Sequence, residues 1–190
     1  MHNFDIARRK ANTSRLAGLT ETPRAGAPVR SEATADDRRS LNLRHIGIAD
    51  VSFGKNVTII QPVNLYGCKI DDDSFIGPFV EIQKGANIGK RCRVQSHSFV
   101  CDLVTIGDDC FISHGAMFIN DLFVTGGPAG KPELWRATKL GNHVSIGTNA
   151  TILPVTICDG TIVGAGAVVI KDITEPGFYV GNPARLLRRR

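Results

Sequence analysis

From about Ile46 onward, apolar side chains return every sixth residue: Ile70, Ile76, Ile82, Ile88, Val94, Val100, Ile106, Ile112 and Phe118. An α-helix repeats its face about every 3.6 residues and a strand every two, so neither prefers six over its neighbours. A solenoid built from six-residue rungs does, because each rung turns the same side chain toward a common axis. The frame runs back through Phe53, Ile59 and Leu65, losing one residue before Ile70. It resumes at Leu140, Ile146 and Ile152, loses one residue before Ile157, and continues at Val163 and Val169.

Two other columns keep step with the anchors. Four residues after each stands a small or β-branched residue (Ser74, Val80, Ala86, Cys92, Ser98, Val104, Cys110, Ala116), which fits an inward position with little room. The residue directly after the anchor is often glycine (Gly77, Gly89, Gly107, Gly141, Gly147, Gly164), the type that tolerates tight or positive-φ backbone. Each buried Ile, Leu or Val contributes about 1.5–3 kcal/mol, against about 1–2 kcal/mol of backbone entropy for every ordered residue. One coil alone therefore cannot stand, and stacking with capped ends is required.

Composition narrows the function classes. Charged residues make up 22% of the 190-residue chain, and no apolar run approaches the roughly 20 residues of a spanning helix. The basic start (Arg8, Arg9, Lys10) has no apolar stretch behind it, so neither a secretory signal nor membrane insertion is expected, and a cytoplasmic location is. Five cysteines without a C-x-x-C pair read as reduced structural thiols, not a disulfide framework or a zinc knuckle. The net charge of +5 sits largely in the two tails, including RLLRRR at 185–190, and lacks interleaved aromatics. Nucleic acid is therefore not the expected partner. Residues 1–43, rich in Arg, Ala, Ser, Thr, Gly and Pro, read as a flexible extension with a short helix around Asp5 to Leu19.

The repeated pattern of an apolar residue, glycine, two variable residues and a small residue resembles the hexapeptide-repeat acyltransferase family over about residues 46–185. The resemblance implies an all-β fold: a single-stranded left-handed parallel β-helix, triangular in section, with an extruded loop and a short C-terminal cap. Handedness comes from the family, since left-handed crossovers are otherwise rare. With three hexads to a coil, positions 18 apart stack, setting Cys92 under Cys110 and Ser98 under Ala116. The implied domain is 44–185, with 186–190 a basic tail. The family's usual assembly is a homotrimer with its sites between subunits.

The repeat breaks at 119–139, and a loop this long inside a solenoid is commonly functional. In the family, a loop at this place helps wall the active site. Trp135 either shields that site or anchors the loop. Stacking makes neighbours of His97 and His114, and puts Asp102, Asn120 and Asp121 close by, so one edge of the helix is expected to carry all five. The stretch QSHSFVCDLVTIGDDCFISHGAMFIND looks like the matching region of sugar-nucleotide amine N-acetyltransferases, those acting on 3-amino sugars in surface-polysaccharide synthesis. A 43-residue extension departs from that group's pattern.

Acetyl transfer from acetyl-CoA needs a proton acceptor and a donor to steady the oxyanion. His97 is the first choice of acceptor because imidazole titrates near working pH, with Asp102 orienting it and His114 second. The alternative is that His97 binds substrate while the departing sulfur takes the proton. Asn120 and Asp121 hold the sugar amine or a hydroxyl, or else cap the loop turn. The end of the repeat, IVGAGAVVIKDITEPGFYVGNPARLL, resembles the family's C-terminal signature. It implies coenzyme contacts at Gly164, Ala165, Lys171 and Arg185, the last two as phosphate partners; ordinary rung packing and solvated charge are the other readings. The 181–184 segment reads as a turn that returns the tail across the coil end.

The acceptor is thus expected to be a nucleotide-linked amino sugar, with O-acetylation of a sugar or small molecule as the alternative. A trimeric zinc carbonic anhydrase on the same helix would need His97, His114 and His143 to meet at one metal, and no metal is expected. A non-catalytic scaffold is the remaining class.

Overall fold

The computed structural model describes residues 47–189; the extension 1–43, its expected helix and Arg190 lie outside the described residues. Short strands, numbered β1 to β21 along the chain and all parallel except β21, stack into three faces. The first face holds β1 (Ile48–Ala49), β4 (Asn64–Tyr66), β7 (Glu81–Ile82), β10 (Phe99–Val100), β13 (Met117–Phe118), β16 (Thr151–Ile152) and β19 (Val168–Val169). The second holds β2 (Ser52–Phe53), β5 (Lys69–Ile70), β8 (Asn87–Ile88), β11 (Val104–Ile106), β14 (Thr138–Leu140) and β17 (Thr156–Ile157). The third holds β3 (Thr58–Ile59), β6 (Phe75–Ile76), β9 (Arg93–Val94), β12 (Phe111–Ile112), β15 (Ser145–Ile146), β18 (Ile162–Val163), β20 (Gly177–Val180) and β21 (Arg185–Arg189). The expected all-β solenoid is what forms.

Register follows the frame read from the sequence. Ile76 pairs with Val94 and Val94 with Ile112, 18 residues apart. Coils one residue shorter join Ile59 to Ile76 and Ile146 to Val163, on either side of the two expected deletions. All nine anchors from Ile70 to Phe118 are at most 2% exposed, and so is the small-residue column from Ser74 to Ala116. In each two-residue strand from β5 to β19 the anchor is buried and its predecessor is not, as alternation requires.

The small column does more than save space. Ser74 Oγ donates to Gly89 O at 2.8 Å and accepts from Cys92 N at 3.0 Å, and Ser98 Oγ donates to Ser113 O at 2.9 Å. Cys92 Sγ and Cys110 Sγ donate to Gly107 O (3.0 Å) and Gly141 O (3.2 Å). These groups satisfy corner carbonyls that would otherwise be buried without a donor. Burial pushes the Cys68 thiol up to about 11 and the Cys101 thiol to about 12, so both stay neutral at neutral pH. All five cysteines are free, in keeping with a structural role.

The glycine column is explained by close approach, not by positive φ. A Cβ on Gly107 would lie 2.6 Å from Gly141 O and 2.7 Å from Asn142 Oδ1; one on Gly141 would collide with Asp159. At Gly89, Gly107 and Gly141 the space lets a side chain of the next coil cap the amide that follows. Asp108 N donates to Asn142 Oδ1 at 2.8 Å, and Asn142 N to Asp159 Oδ1 at 2.9 Å. Positive φ falls instead three residues after the anchor, at Asp73, Phe79, Arg91, His97, Leu103, Asp109, His143 and Asn149 among others.

Two boundaries differ from expectation. β14 starts at Thr138, whose buried hydroxyl donates to Leu153 O at 3.3 Å, so the extruded loop is 119–137 and not 119–139. Residues 186–189, all exposed, belong to β21, antiparallel to β20. Arg188 lies 5.7 Å over the Phe178 ring, and Arg189 pairs with Glu175 at 3.1 Å, so these charges have partners on the fold. Among the described residues no helix is long and apolar enough to cross a membrane.

Gly107→Ala should destabilise the solenoid by about 1–3 kcal/mol, the usual cost of forcing atoms into a packed site. Gly85→Asn, at φ +78 with open space around it, should cost far less. Thermal unfolding of the two variants side by side checks the difference.

Candidate functional site

Functional side chains on a coil like this stand at the corners, where the chain leaves one face for the next. The corner between the third and first faces holds 95–98, 113–116, 147–150 and 164–167. It carries both His97 and His114, and both are exposed. His114 Nδ1 lies 2.8 Å from Ser96 Oγ, its stacking partner one coil below. That contact engages Nδ1 of an otherwise exposed ring. His97 occupies the left-handed position, φ +63, and its N–H donates to Pro78 O at 3.2 Å. Its ring stacks on Phe79, with centroids 4.8 Å apart and planes inclined by 26°.

Asp102 and Asn120 stand on a different edge, between the first and second faces. Asn120 Nδ2 donates to the main-chain oxygen of Asp102 at 3.3 Å. The expected single edge is therefore two edges, separated by the width of the first face at β10 and β13. The offset follows from chain direction: 95–98 precede β10 and 101–103 follow it. Within one chain Asp102 therefore stands away from His97, whose ring packs on Phe79. Burial raises the Asp102 carboxyl above the ordinary carboxylate value.

Asp121 caps the loop. Its Oδ1 accepts from Phe123 N at 2.8 Å and its Oδ2 from Ala129 N at 2.7 Å, while Arg136 N donates to Asn120 O at 2.9 Å and closes the base. Pro132–Leu134 form a 3-10 turn that leads to the half-buried Trp135, whose N–H donates back to Pro132 O at 3.0 Å. Leu122, Phe123 and Val124 of the loop are 42%, 58% and 63% exposed.

The expected coenzyme residues divide. Gly164 is buried; its N–H donates to Tyr179 O at 2.8 Å, and a Cβ there would meet Val180 at 2.8 Å. Its glycine is needed for packing under β20, and its amide is not free for a ligand. Ala165 is exposed on the histidine edge, in the column of Ser96 and His114. Lys171 and Arg185 share a cleft of about 310 Å³ at the end of the coil, bordered by Val169, Ile173, Tyr179 and Ala184.

His143 lies on the third edge, between the second and third faces, so within one chain it does not meet His97 and His114. It borders a hollow of about 600 Å³, with Asp109 and Asp159. Asp109 is already committed there: Arg91 donates to it through Nε at 2.7 Å and Nη2 at 2.8 Å, which holds its carboxyl below the ordinary range. Sequence reading missed Ser96 and Phe79. The 18-residue offset would have found both, since it stacks each under a histidine.

Comparison with known proteins agrees with this geometry. Residues 67–102 match the model for "Bacterial transferase hexapeptide (six repeats)", and 138–171 match "Hexapeptide repeat of succinyl-transferase". The chain is 34% identical over 122 residues to the bifunctional protein GlmU of Rubrobacter xylanophilus, covering 64% of this chain and 24% of that protein. With the GlmU of Clostridium acetobutylicum it shares 29% over 153 residues, 74% of this chain and 32% of that one. It thus spans about a quarter to a third of these curated relatives. Among solved structures, a point mutant of AntD, an N-acyltransferase from Bacillus cereus in complex with dTDP and coenzyme A, superposes with TM-score 0.65 and 26% identity. That match covers 73% of this chain and 84% of AntD.

A carboxyl whose folded-state pKa lies above its unfolded one favours the folded state when protonated. Stability from Asp102 is therefore full below the ordinary carboxylate value and is lost as pH rises through the raised one. Asp102→Asn should raise the melting temperature at neutral pH, and the gain should vanish in acid. Thermal scans of both proteins from pH 3 to 8 check this.

Proposed function

Because the chain belongs to the hexapeptide-repeat acyltransferase family, we propose that it is an acetyltransferase that moves acetyl from acetyl-CoA to an amino group of a nucleotide-linked amino sugar. The observation that carries this reading is the exposed histidine edge, with two imidazoles in adjacent coils and one ring hydrogen-bonded to Ser96. Likeness to AntD, an N-acyltransferase held with dTDP and coenzyme A, supports both the donor and a nucleotide-bearing acceptor. We place the catalytic unit at 44–185, in the cytoplasm, at a step of surface-polysaccharide biosynthesis.

In this reading the acceptor amine attacks the thioester carbonyl, and the resulting tetrahedral centre carries an oxyanion and an ammonium. An imidazole of the edge, His97 before His114, takes the amine proton. Collapse expels the coenzyme thiolate, and the imidazolium returns the proton to sulfur. The coenzyme lies along the edge past Ala165, with its phosphates at Lys171 and Arg185 as charge-assisted partners.

Asp102 and Asn120 join the site across a subunit boundary in a homotrimer, where the loop edge of one copy faces the histidine edge of the next. Support comes from the apolar surface between those edges: Met117 on β13 is 39% exposed, beside the exposed loop residues Leu122 to Val124. Such patches mark association surfaces.

His97→Ala should lower turnover by about 10²–10⁴-fold, the usual worth of a general base, and leave acetyl-CoA affinity nearly unchanged. Thiol release with nucleotide-linked amino sugars, together with calorimetry, measures both; an unchanged kcat removes His97 from the role. Replacing Lys171 and Arg185 together by Ala should instead weaken coenzyme binding, with a smaller salt dependence than the parent. Sedimentation should give a threefold mass.

A further inference from the structure

Phe79 has features that its coil does not require. Its φ is +60, a left-handed conformation that is a true outlier for a bulky side chain and is strained. In the same column the other coils place His97, Gly115, Asn149 and Gly166, types that adopt this backbone more readily than phenylalanine does. Arg91, another bulky residue at positive φ, has a two-pronged ion pair with Asp109 to hold it. Phe79 has no comparable reward in the core, because its ring is 57% exposed.

Two things adjoin the ring. On one side is the imidazole of His97, stacked on it. Phe79 also borders a cavity of about 230 Å³ with Pro62, Val63, Asn64, Val80 and Glu81, which His97 does not line. Phe79 thus adjoins both the imidazole and the cavity. The size suits a single ring, since whole drug-sized ligands take about 300–1,000 Å³.

The rim of that cavity is polar and fixed. Glu81 accepts from Asn64 Nδ2 at 3.1 Å, from Gln83 Nε2 at 2.9 Å and from Tyr66 Oη at 3.4 Å. The network holds the carboxylate in place while Asn64 Oδ1, among the described residues, keeps its acceptor capacity. A planar ring laid on Phe79 would meet hydrogen-bond acceptors at its edge. Every nucleobase offers an edge N–H to such acceptors.

We propose that the outer face of Phe79 is the platform for the heterocyclic base of the nucleotide to which the acceptor sugar is linked. This rests on the transfer reading above and adds to it a residue that selects nucleotide-linked over free amino sugars. The base is a remote, non-reacting part of the substrate, and its stacking fixes where the sugar end lies relative to the histidine edge.

The test uses the full chain and calorimetric titration with UDP, dTDP and GDP as probes, without acetyl-CoA. Phe79→Asn removes the ring but suits the left-handed backbone, so its melting temperature should equal or exceed that of the parent. Its affinity for the preferred nucleoside diphosphate should fall on the order of ten- to a hundred-fold, the loss that removing a base-stacking aromatic brings. Phe79→Trp should retain binding. In turnover, Phe79→Asn should raise KM for the acceptor more than it lowers kcat and leave KM for acetyl-CoA alone. Equal nucleotide affinity in parent and Phe79→Asn, or no binding by the parent, overturns the platform. So does a changed mass of Phe79→Asn in light scattering, which assigns the ring to a subunit contact. Nucleotide binding through Phe79 without any thiol release refutes the transfer reading alone; thiol release with an unaltered acceptor KM refutes the platform alone.

Discussion

The distance between successive coils governs the rest of this protein. Main-chain amides pair from one coil to the next, as in Phe75 N to Cys92 O at 2.8 Å and Gly77 N to Val94 O at 2.8 Å. Such close pairing is possible at the corners only because Gly107 and its counterparts lack a Cβ, and because Asp or Asn side chains occupy the space to cap the following amide. The apolar anchors supply the driving force, yet each buries fully only when a neighbour stacks on it. Hydrogen bonding and burial are thus two results of one spacing.

The candidate site inherits its geometry from that spacing. Corner residues repeat along an edge, so a side chain in one coil is aligned with its counterpart in the next. Ser96 meets His114, and Phe79 meets His97, through this alignment alone. The extruded loop obeys the same rule: it leaves the coil after β13 and returns at β14, so the register beyond it is undisturbed, with Ile106 pairing Leu140 and Ile112 pairing Ile146. Loop growth at a corner leaves the stacked faces intact while adding surface beside the site.

The fold was legible to the level of register. Anchors, inward small residues, both one-residue deletions and the turn at 181–184 were all readable because each depends on a local period. The site was legible only in part. The two histidines share an edge, whereas Asp102 stands on another, because counting along a hexad does not show which side of a strand a corner lies on. Asp121 was ambiguous in sequence between ligand contact and loop cap; its two oxygens are taken by Phe123 N and Ala129 N. Gly164 read as an open backbone position, whereas β20 returns over it and uses its amide.

The sequence by itself determined that a rung of six residues repeats, which side chains face inward, and where the repeat breaks, since these follow from periodicity and side-chain volume. Tertiary structure decided which corner each polar residue occupies, what its ring or carboxylate leans on, and that residues 185–189 close the coil end as β21. The physical reason is the difference between a period and a contact. A period is carried by one coil, whereas a contact such as Phe79 with His97 exists only once two coils are stacked.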